Sequence, residues 1–216
     1  MSVWAVVVAA GSGQRFGAQK QFAPLGGRAM VQWAVEAARS VADGVVLVLP
    51  TADLLDEGAG LGATAGADVV VVGGDTRAAS VRAGLAAVPV SAQVIVVHDG
   101  ARPLAGPALF RAVVEAVVGG ADAAVPALAV ADTLKRVEGD VVTATVAREG
   151  IVAVQTPQAF RAGVLRAAHE SSADATDDAG LVESLGATVR VVSGDPRNIK
   201  VTTAADLEIA QALAAS

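Results

Sequence analysis

The feature that most constrains the fold of this chain is an alternation between short valine-rich runs and longer amphipathic stretches. The apolar runs lie at Val3–Ala9, Val45–Leu49, Asp68–Val72, Gln93–Val97, Ala121–Pro126, Val152–Val154 and Val189–Val192. The amphipathic stretches lie at Ala29–Ser40, Ala78–Val88, Pro107–Val118, Ala162–Glu170, Asp178–Leu185 and Ala204–Ala214. Runs this apolar are typical of strands covered on both faces. The alternation predicts an α/β fold with a Rossmann-like, doubly wound, mostly parallel sheet, which binds ligands beyond the carboxyl ends of its strands.

Length and composition narrow the class of protein. With 216 residues, of which 53% are hydrophobic and 18% charged, the chain suits a single domain over residues 1–216. The absence of cysteine excludes disulfides, thiolate catalysis and Cys-ligated zinc. Because the chain has two histidines, any metal is expected on carboxylates and ligand phosphates, which favours Mg²⁺.

The net charge and the distribution of apolar residues exclude two kinds of partner. A net charge of −6 argues against nucleic acid, whose binding depends on cations that neutralise phosphates. No apolar stretch reaches membrane-spanning length without a charge or turn signal, and the first apolar run lacks the basic flank of a signal peptide. We therefore expect a cytoplasmic protein with no nucleic-acid or membrane partner.

Residues 130–148 interrupt the alternation. The flanks Thr133–Val137 and Val141–Val146 have strand-like composition around a turn at Glu138–Gly139–Asp140. The segment predicts a protruding β-hairpin arm. Because an isolated hairpin is marginal in water, the arm packs either on another subunit or on its own domain, and composition favours neither.

The first apolar run leads into Ala9–Ala10–Gly11–Ser12–Gly13, followed by Arg15 and Lys20. Glycines at a strand end let backbone N–H groups approach a phosphate chain, and the two cations add positive charge. The pattern is neither a Walker A loop nor G-x-G-x-x-G, since Gly17 falls one position late. A plain glycine-rich turn is the alternative, but the basic pair favours a loop that binds a nucleoside triphosphate.

Two further polar motifs follow apolar runs, Gly73–Gly74–Asp75–Thr76–Arg77 with Ser80 beyond it, and Val97–His98–Asp99–Gly100–Ala101–Arg102–Pro103. Asp75 suits a helix N-cap, and the glycines before it suit close contact with a flat base. Asp99 suits a Mg²⁺ ligand at a strand end, or an ion pair with Arg102. His98 is interpreted as structural.

The carboxyl half carries a dispersed set of polar residues. They are Asp132–Thr133, Arg148, Gln155–Thr156–Pro157–Gln158, Thr176–Asp177–Asp178 and Asn198–Ile199–Lys200–Val201–Thr202. Each one alone is typical of helix caps or solvated surface charges. Together their Arg, Lys and Thr donors predict a second anion pocket.

In this order, the motifs resemble one enzyme family. They are Ala-Ala-Gly-x-Gly-x-Arg, Lys20–Gln21–Phe22, Gly-Gly-Asp-x-Arg with Ser80, His-Asp-x-Ala-Arg-Pro, Asp-Thr-x-Lys-Arg, Gln-Thr-Pro-Gln-x-Phe, Thr-Asp-Asp and Asn-Ile-Lys-Val-Thr. The set spans almost the whole chain and is similar to the 2-C-methyl-D-erythritol 4-phosphate cytidylyltransferases of non-mevalonate isoprenoid biosynthesis. The first loop alone is shared by many nucleotidyltransferases, whereas the set is specific.

The resemblance implies a reaction in which CTP and 2-C-methyl-D-erythritol 4-phosphate, with Mg²⁺, give 4-diphosphocytidyl-2-C-methyl-D-erythritol and pyrophosphate. The acceptor phosphate is itself the nucleophile, so no Ser, Cys or general base is needed. Catalysis then consists of aligning two anions and neutralising charge at the α-phosphorus.

The resemblance also implies a role for each part of the site. The catalytic residues would be Arg15, Lys20 and Lys200. The nucleotide-binding residues would be Ala9, Ala10, Gly11, Ser12, Gly13, Gly74, Asp75, Ser80, Gly100 and Arg102, with Asp99 as the metal ligand. The acceptor-binding residues would be Thr133, Arg148, Thr176 and Lys200. Thr133 and Arg148 would come from the hairpin arm of the partner subunit in a homodimer.

Three positions depart from the family pattern. Gly100 stands where the family usually has alanine and should keep its backbone contacts. Gln14 replaces a second basic residue of some relatives, and Arg197 replaces an acidic one. None of these changes removes a side chain with an expected role.

Three alternatives were compared with this hypothesis. Ribitol 5-phosphate cytidylyltransferases resemble the chain in most motifs, but the stretch Thr145–Gly150 and the hairpin favour methylerythritol phosphate. A dinucleotide-binding oxidoreductase needs an acidic residue where this chain has Leu49–Pro50–Thr51. A non-catalytic nucleotide-binding regulator would tolerate the loss of Lys20.

Overall fold

The computed structural model describes residues 1–11, 19–50, 66–170 and 177–215. The strands in these ranges are β1 (Val3–Val8), β2 (Pro24–Leu25), β3 (Arg28–Ala29), β4 (Gly44–Leu49), β5 (Val69–Val72), β6 (Val94–Asp99), β7 (Ala123–Ala129), β8 (Leu134–Glu138), β9 (Val141–Val146), β10 (Val152–Val154), β11 (Gln158–Arg161) and β12 (Val189–Ser193). The helices are α1 (Met30–Arg39), α2 (Arg77–Ala87), α3 (Pro107–Val118), α4 (Ala162–Glu170), α5 (Asp178–Ser184) and α6 (Ala204–Ala214). None of these helices has the length and apolar character needed to cross a bilayer.

The central sheet is mostly parallel. Its described strands run in the order β5–β4–β1–β6–β11–β7, and β10 and β12 also pair with β7. β10 and β11 are antiparallel to their neighbours, whereas the other pairs of this sheet are parallel. The predicted α/β class with a mostly parallel sheet is confirmed.

Alternate residues of the strands face two different helical layers. On β1, Ala5 and Val7 belong to a core cluster that includes α1 and α3. Val6, between them, belongs to a second cluster that includes α2, α4 and α5. This period of two, apolar on both faces, explains why the strands are recognisable as continuous apolar runs.

β11 was not among the predicted strands. It lies between β6 and β7, with Gln158 opposite Val97 and Arg161 opposite Val94. Its sequence is short and has polar ends, so it lacks the apolar run that identified the others. Its amino end lies beside the carboxyl end of β6, which brings the preceding Gln155–Pro157 to the same edge of the sheet.

A small apolar cluster joins distant parts of the chain. Leu25, Met30, Val201 and Ala210 are buried together. Trp33 packs against them and donates its indole N–H to the carbonyl of Leu25 at 2.9 Å. The chain that follows Lys20 is therefore held against the chain that follows Lys200.

β8 and β9 form a two-stranded sheet apart from the central one. Gly139, in the turn, has a φ of +61°, which glycine adopts without strain. Val137, Val141 and Val142 on this arm are 56%, 62% and 56% exposed. The predicted hairpin is confirmed, whereas the single domain over 1–216 and the dimerisation role of 130–148 stay predictions.

Gly84 marks the closest approach of α2 to the sheet. A Cβ added there would collide with Cγ1 of Val6 and lie 3.0 Å from Cγ2 of Val48. Overpacking of this kind costs about 1–3 kcal/mol, which exceeds the gain of about 1 kcal/mol in helix propensity. We expect Gly84→Ala to lower the free energy of unfolding, measured by urea denaturation.

Gly163 on α4 is the matched control, because an added Cβ would meet nothing within 4 Å. There the helix propensity acts alone, so Gly163→Ala should raise stability by up to about 1 kcal/mol. Equal effects of the two changes would contradict the packing of α2 described above.

Candidate active site

Several predicted site residues meet at one edge of the sheet. Val8 at the end of β1 lies opposite Asp99 at the end of β6. The backbone N–H of Gly100 continues this pairing by donating to the carbonyl of Val8 at 2.9 Å. Because the carboxyl ends of parallel strands share an edge, the residues that follow β1, β5 and β6 converge there.

Asp99 lies between two cations. Its Oδ2 accepts a hydrogen bond from Nζ of Lys200 at 2.7 Å, and its Oδ1 accepts one from Nε of Arg77 at 3.3 Å. Burial by itself would raise the pKa of Asp99, but Arg77 and Lys200 outweigh it and hold that pKa well below the usual value. The carboxylate is therefore ionised. The alternative expectation was an ion pair between Asp99 and Arg102. It is wrong, because the ion pairs of Asp99 are with Arg77 and Lys200.

His98 and Thr156 form a buried hydrogen-bond chain behind Asp99. The Thr156 hydroxyl accepts from the Asp99 N–H at 3.0 Å and lies 3.1 Å from Nδ1 of His98. Nε2 of His98 lies 3.1 Å from the carbonyl of Arg102, which only accepts. His98 is thus neutral with its proton on Nε2, and Thr156 donates to Nδ1. The structural interpretation of His98 fits these contacts.

Asn198 fixes the segment that carries Lys200. It is fully buried, and its Nδ2 donates to the carbonyl of Thr156 at 2.8 Å and to Oε1 of Gln155 at 3.3 Å. The backbone carbonyl of Asn198 accepts a hydrogen bond from Nη1 of Arg102 at 2.8 Å. Arg102 therefore connects the end of β6 to the Lys200 segment.

Lys20 reaches the same segment from the other side. Its Nζ donates to the carbonyl of Val201 at 2.8 Å, and the N–H of Val201 donates to the carbonyl of Ala101 at 2.9 Å. Lys20 and Lys200, which are 180 positions apart in sequence, thus meet at the same short segment of backbone. The apolar cluster of Leu25 and Val201 anchors this segment.

Small residues bring the first loop against the turn after β5. A Cβ added to Gly73 would collide with Cβ of Ala10 and lie 2.7 Å from Oγ of Ser80. The Ser80 hydroxyl lies 3.0 Å from the carbonyl of Thr76 and 3.2 Å from the carbonyl of Gly74. Asp75 is exposed beside them. Ala10, Gly73 and Ser80 are therefore packed in close contact, with no room for a side chain between them.

Helix α2 begins differently from the cap expected at Asp75. The N-cap is Thr76, whose side chain accepts from the N–H of Ala79 at 3.1 Å. The N-cap interpretation of Asp75 is therefore wrong, and Asp75 is exposed at the surface. Asp177 does cap α5, because its Oδ1 accepts from the N–H of Gly180 at 3.0 Å.

Thr133 and Arg148 lie apart from this group, at the base of the arm, and both are exposed. Arg148 donates to the carbonyl of Ala131 and lines a groove of about 590 Å³ between residues 129–131 and 148–152. Within one subunit, the structure does not bring either residue to Asp99 or Lys200. Four other predicted site residues lie outside the described ranges, namely Ser12, Gly13, Arg15 and Thr176.

The donor set at Asp99 was compared with what Mg²⁺ requires. The described residues contain no group of three His, Cys, Asp or Glu side chains able to hold a metal. Mg²⁺ often takes a single protein carboxylate and completes its shell with water and substrate phosphates. An ionised carboxylate at a strand end, paired with a lysine that is 42% exposed, fits that arrangement.

The sequence and the fold were compared with known proteins. The family model for 2-C-methyl-D-erythritol 4-phosphate cytidylyltransferase matches residues 3–216. The chain belongs to this family. A relative of that name from Nocardia farcinica is 47% identical over 217 residues, which cover 98% of this chain and 94% of the relative. Another relative of that name, from Saccharopolyspora erythraea, is 45% identical over 229 residues. That match covers 100% of this chain and 100% of the relative.

A solved structure supports the same relationship. The crystal structure of 2-C-methyl-D-erythritol 4-phosphate cytidylyltransferase from Thermus thermophilus superposes with a TM-score of 0.83 at 37% identity. The match covers 100% of this chain and 99% of that one. The family resemblance inferred from the ordered motifs is confirmed.

Two departures from the family pattern have local consequences. Arg197 donates to the carbonyl of Leu213 at 2.6 Å, so its cation lies near the C-terminal end of α6, where the helix dipole favours it. At Gly100, an added Cβ would lie 3.1 Å from Cβ of Ala9 and 3.2 Å from the carbonyl of Val8. An alanine at this position would need its neighbours to move by only a few tenths of an ångström. Gln14 lies outside the described residues.

Sequence reasoning did not assign four residues that the structure places around Asp99. Arg77, Thr156, Asp178 and Asn198 each occur inside a recognised motif, but none of them was given an individual role. Their partners are far away in sequence, as with Arg77 and Asp178, which are 101 positions apart. The available signal was the clustering of polar residues at strand ends.

His98 should make the stability of the fold depend on pH. Burial lowers its pKa from 6.5 to about 4. The unfolded chain therefore binds the extra proton between about pH 6.5 and pH 4, and the native state does not. The stabilisation that comes from keeping His98 neutral is fully present above pH 6.5. It is lost as the pH falls through this window, and the free energy of unfolding decreases by up to about 3 kcal/mol.

His98→Gln keeps a donor and an acceptor but does not titrate, so its urea unfolding free energy should lose this slope. His169 is present in both proteins and cancels in the comparison. An identical pH dependence in the variant would contradict the neutral, buried state of His98.

Proposed function

We propose that this chain transfers the cytidylyl group of CTP to 2-C-methyl-D-erythritol 4-phosphate. The observation that carries the proposal is the group at the end of β6, where Asp99 is bracketed by Arg77 and Lys200 while Lys20 lies on the adjacent backbone. A site of cations around one ionised carboxylate suits phosphate chemistry. It does not suit a covalent mechanism, which would need a nucleophile with an adjacent base.

The reaction balances without a protein nucleophile. An oxygen of the acceptor phosphate attacks the α-phosphorus of CTP and forms a new P–O bond. The bond from the α-phosphorus to the oxygen that bridges it to the β-phosphorus breaks, and pyrophosphate leaves. Negative charge accumulates around the α-phosphorus, so fixed cations lower the barrier.

The catalytic cations are expected to be Arg15, Lys20 and Lys200. The contacts of Lys20 and Lys200 support this assignment, because Lys20 binds the carbonyl of Val201, next to Lys200, while Asp99 holds the Lys200 ammonium. That arrangement fixes two positive charges before substrate arrives, so little reorganisation is needed during the reaction.

The nucleotide side of the site is expected to use small residues and backbone groups. The proposed set is Ala9, Ala10, Gly11, Ser12, Gly13, Gly74, Asp75, Ser80, Gly100 and Arg102. Gly74 is exposed and has no side chain, so a flat base can approach its backbone closely. The exposed carboxylate of Asp75 accepts hydrogen bonds, which favours cytosine, with its amino group, over uracil.

Mg²⁺ is proposed as the cofactor, with Asp99 as its protein ligand. When bound there, it would neutralise charge on the triphosphate. The protein's own contribution is to keep Asp99 ionised and oriented, through Arg77 on Oδ1 and the Thr156 hydroxyl on the backbone N–H.

The acceptor side is expected to use Thr176 and Lys200 of one subunit with Thr133 and Arg148 of its partner in a homodimer. Exposed valines on both strands of the arm support this assembly, since a lone hairpin with apolar side chains in water is marginal. The separation of Arg148 from Lys200 within one subunit also fits a site completed by a second copy. We propose a cytoplasmic location.

The acceptor is the first prediction. Pyrophosphate release from CTP should require 2-C-methyl-D-erythritol 4-phosphate, and ribitol 5-phosphate should support little turnover. The assay measures pyrophosphate with each polyol phosphate at equal concentration, with UTP as the control nucleotide. Turnover with ribitol 5-phosphate alone would reject the proposed acceptor in favour of the alternative cytidylyltransferase activity.

Lys20 should act mainly in the transition state. We expect Lys20→Ala to lower kcat by about 10²–10³-fold, with a modest change in the Kd for CTP measured by calorimetry. Arg111→Ala is the control, because Arg111 is an exposed cation on α3. A kcat for Lys20→Ala close to that of the control would favour a binding protein over an enzyme.

The shared site can be tested by mixing inactive variants. Lys20→Ala and Arg148→Ala subunits should each be nearly inactive alone. After exchange, each heterodimer retains one intact site, so about a quarter of wild-type activity should return. Light scattering of the wild-type protein gives the oligomeric state. A monomer, or a mixture that stays inactive, would argue against a site completed by the arm.

A further inference from the structure

Arg77, the first residue of α2, connects two carboxylates on different elements. Its Nε donates to Oδ1 of Asp99 at 3.3 Å, and its Nη1 donates to Oδ2 of Asp178 at 2.8 Å. Asp99 ends β6, whereas Asp178 begins α5. The rigid fork of a guanidinium serves two carboxylates at once, which the single ammonium of lysine does far less well.

Asp178 has no access to substrate. It is 1% exposed, and its second oxygen accepts a hydrogen bond from Nε2 of His169 at 2.9 Å. Both oxygens are therefore used within the protein. A carboxylate is costly to bury unless it is paired, so the position of Asp178 depends on Arg77 and His169.

The amino end of α5 is the part of the fold that this pairing holds. Asp177 caps the helix and also accepts from Nε2 of Gln158 at 3.0 Å. Thr176, which is expected to bind the acceptor phosphate, directly precedes Asp177 in sequence. We therefore expect the anchoring of the pair 177–178 to affect the acceptor side of the site.

We propose that Arg77 is a positioning residue that aligns the acceptor side of the site, through Asp178, with the nucleotide side, through Asp99. The proposal rests on the cytidylyl-transfer function above. Alternating charges run from Lys200 through Asp99 and Arg77 to Asp178, whose other oxygen is hydrogen-bonded to His169. If a cation is kept beside Asp99 but the bridge to Asp178 is broken, the acceptor should be misplaced more than the binding of CTP is weakened.

The test uses Arg77→Lys, Asp178→Asn and the double variant. Arg77→Lys keeps the charge that buried Asp178 needs but cannot bridge both carboxylates. We expect it to lower kcat by about 10- to 100-fold, since a misplacement of about 1 Å has effects of that size. The KM for the acceptor should rise by about fivefold or more, without a matching rise in the calorimetric Kd for CTP.

Asp178→Asn should reproduce the rise in acceptor KM, and the double variant should be little worse than Arg77→Lys, because both changes break the same link. Arg111→Lys, at an exposed position of α3, is the matched control. Thermal unfolding is followed for every protein, because a purely structural role would lower the midpoint and leave the two substrates equally affected.

Three outcomes would overturn the proposal. They are equal changes in acceptor KM and CTP Kd, additive effects in the double variant, and kinetics of Arg77→Lys that match Arg111→Lys. If Asp178→Asn does not fold, the comparison of Arg77→Lys with Arg111→Lys still tests the proposal. The wild-type enzyme separates the two hypotheses, because lack of turnover contradicts the proposed function and the role of Arg77 with it. Normal wild-type turnover with unaffected Arg77→Lys contradicts the role of Arg77 alone.

Discussion

The site depends on one buried carboxylate held between two cations. Asp99 is 8% exposed, yet it stays ionised because Arg77 and Lys200 approach both of its oxygens. Charges in such a place are costly when unpaired, so each member constrains the others. α2 is fixed to the end of β6 through Arg77, and the segment after β12 is fixed there through Lys200. Much of the geometry of the site follows from the ion pairs that neutralise the Asp99 carboxylate.

Small side chains determine the shape of the nucleotide side of the site. Aromatic residues are 3% of the sequence, and the strand ends carry alanine and glycine. At Gly73 and Gly100 even a methyl group would press on neighbours from β1 or its loop. The strands can therefore end close together and present backbone groups. Small residues that pack the sheet tightly thus also form the walls of the site.

The sequence predicted the layers of the fold well, because strands buried on both faces appear as continuous apolar runs. It did not predict β11, whose four residues begin with Gln158 and end with Arg161. The edge of the sheet that carries the site was also predictable, since polar motifs follow the apolar runs. The partners were not, because His98 and Thr156 are 58 positions apart and only the folded topology brings them together.

The direction of β11 has a consequence for locating functional residues in mixed sheets. In a parallel strand, ligand-facing residues come after the strand. β11 runs the opposite way, with Gln158 beside the end of β6, so the residues that face the site come before it. Thr156 reaches Asp99 for this reason. One reversed strand thus inverts the usual order of strand and functional loop, and a search restricted to the segments after each strand would overlook residues such as Thr156.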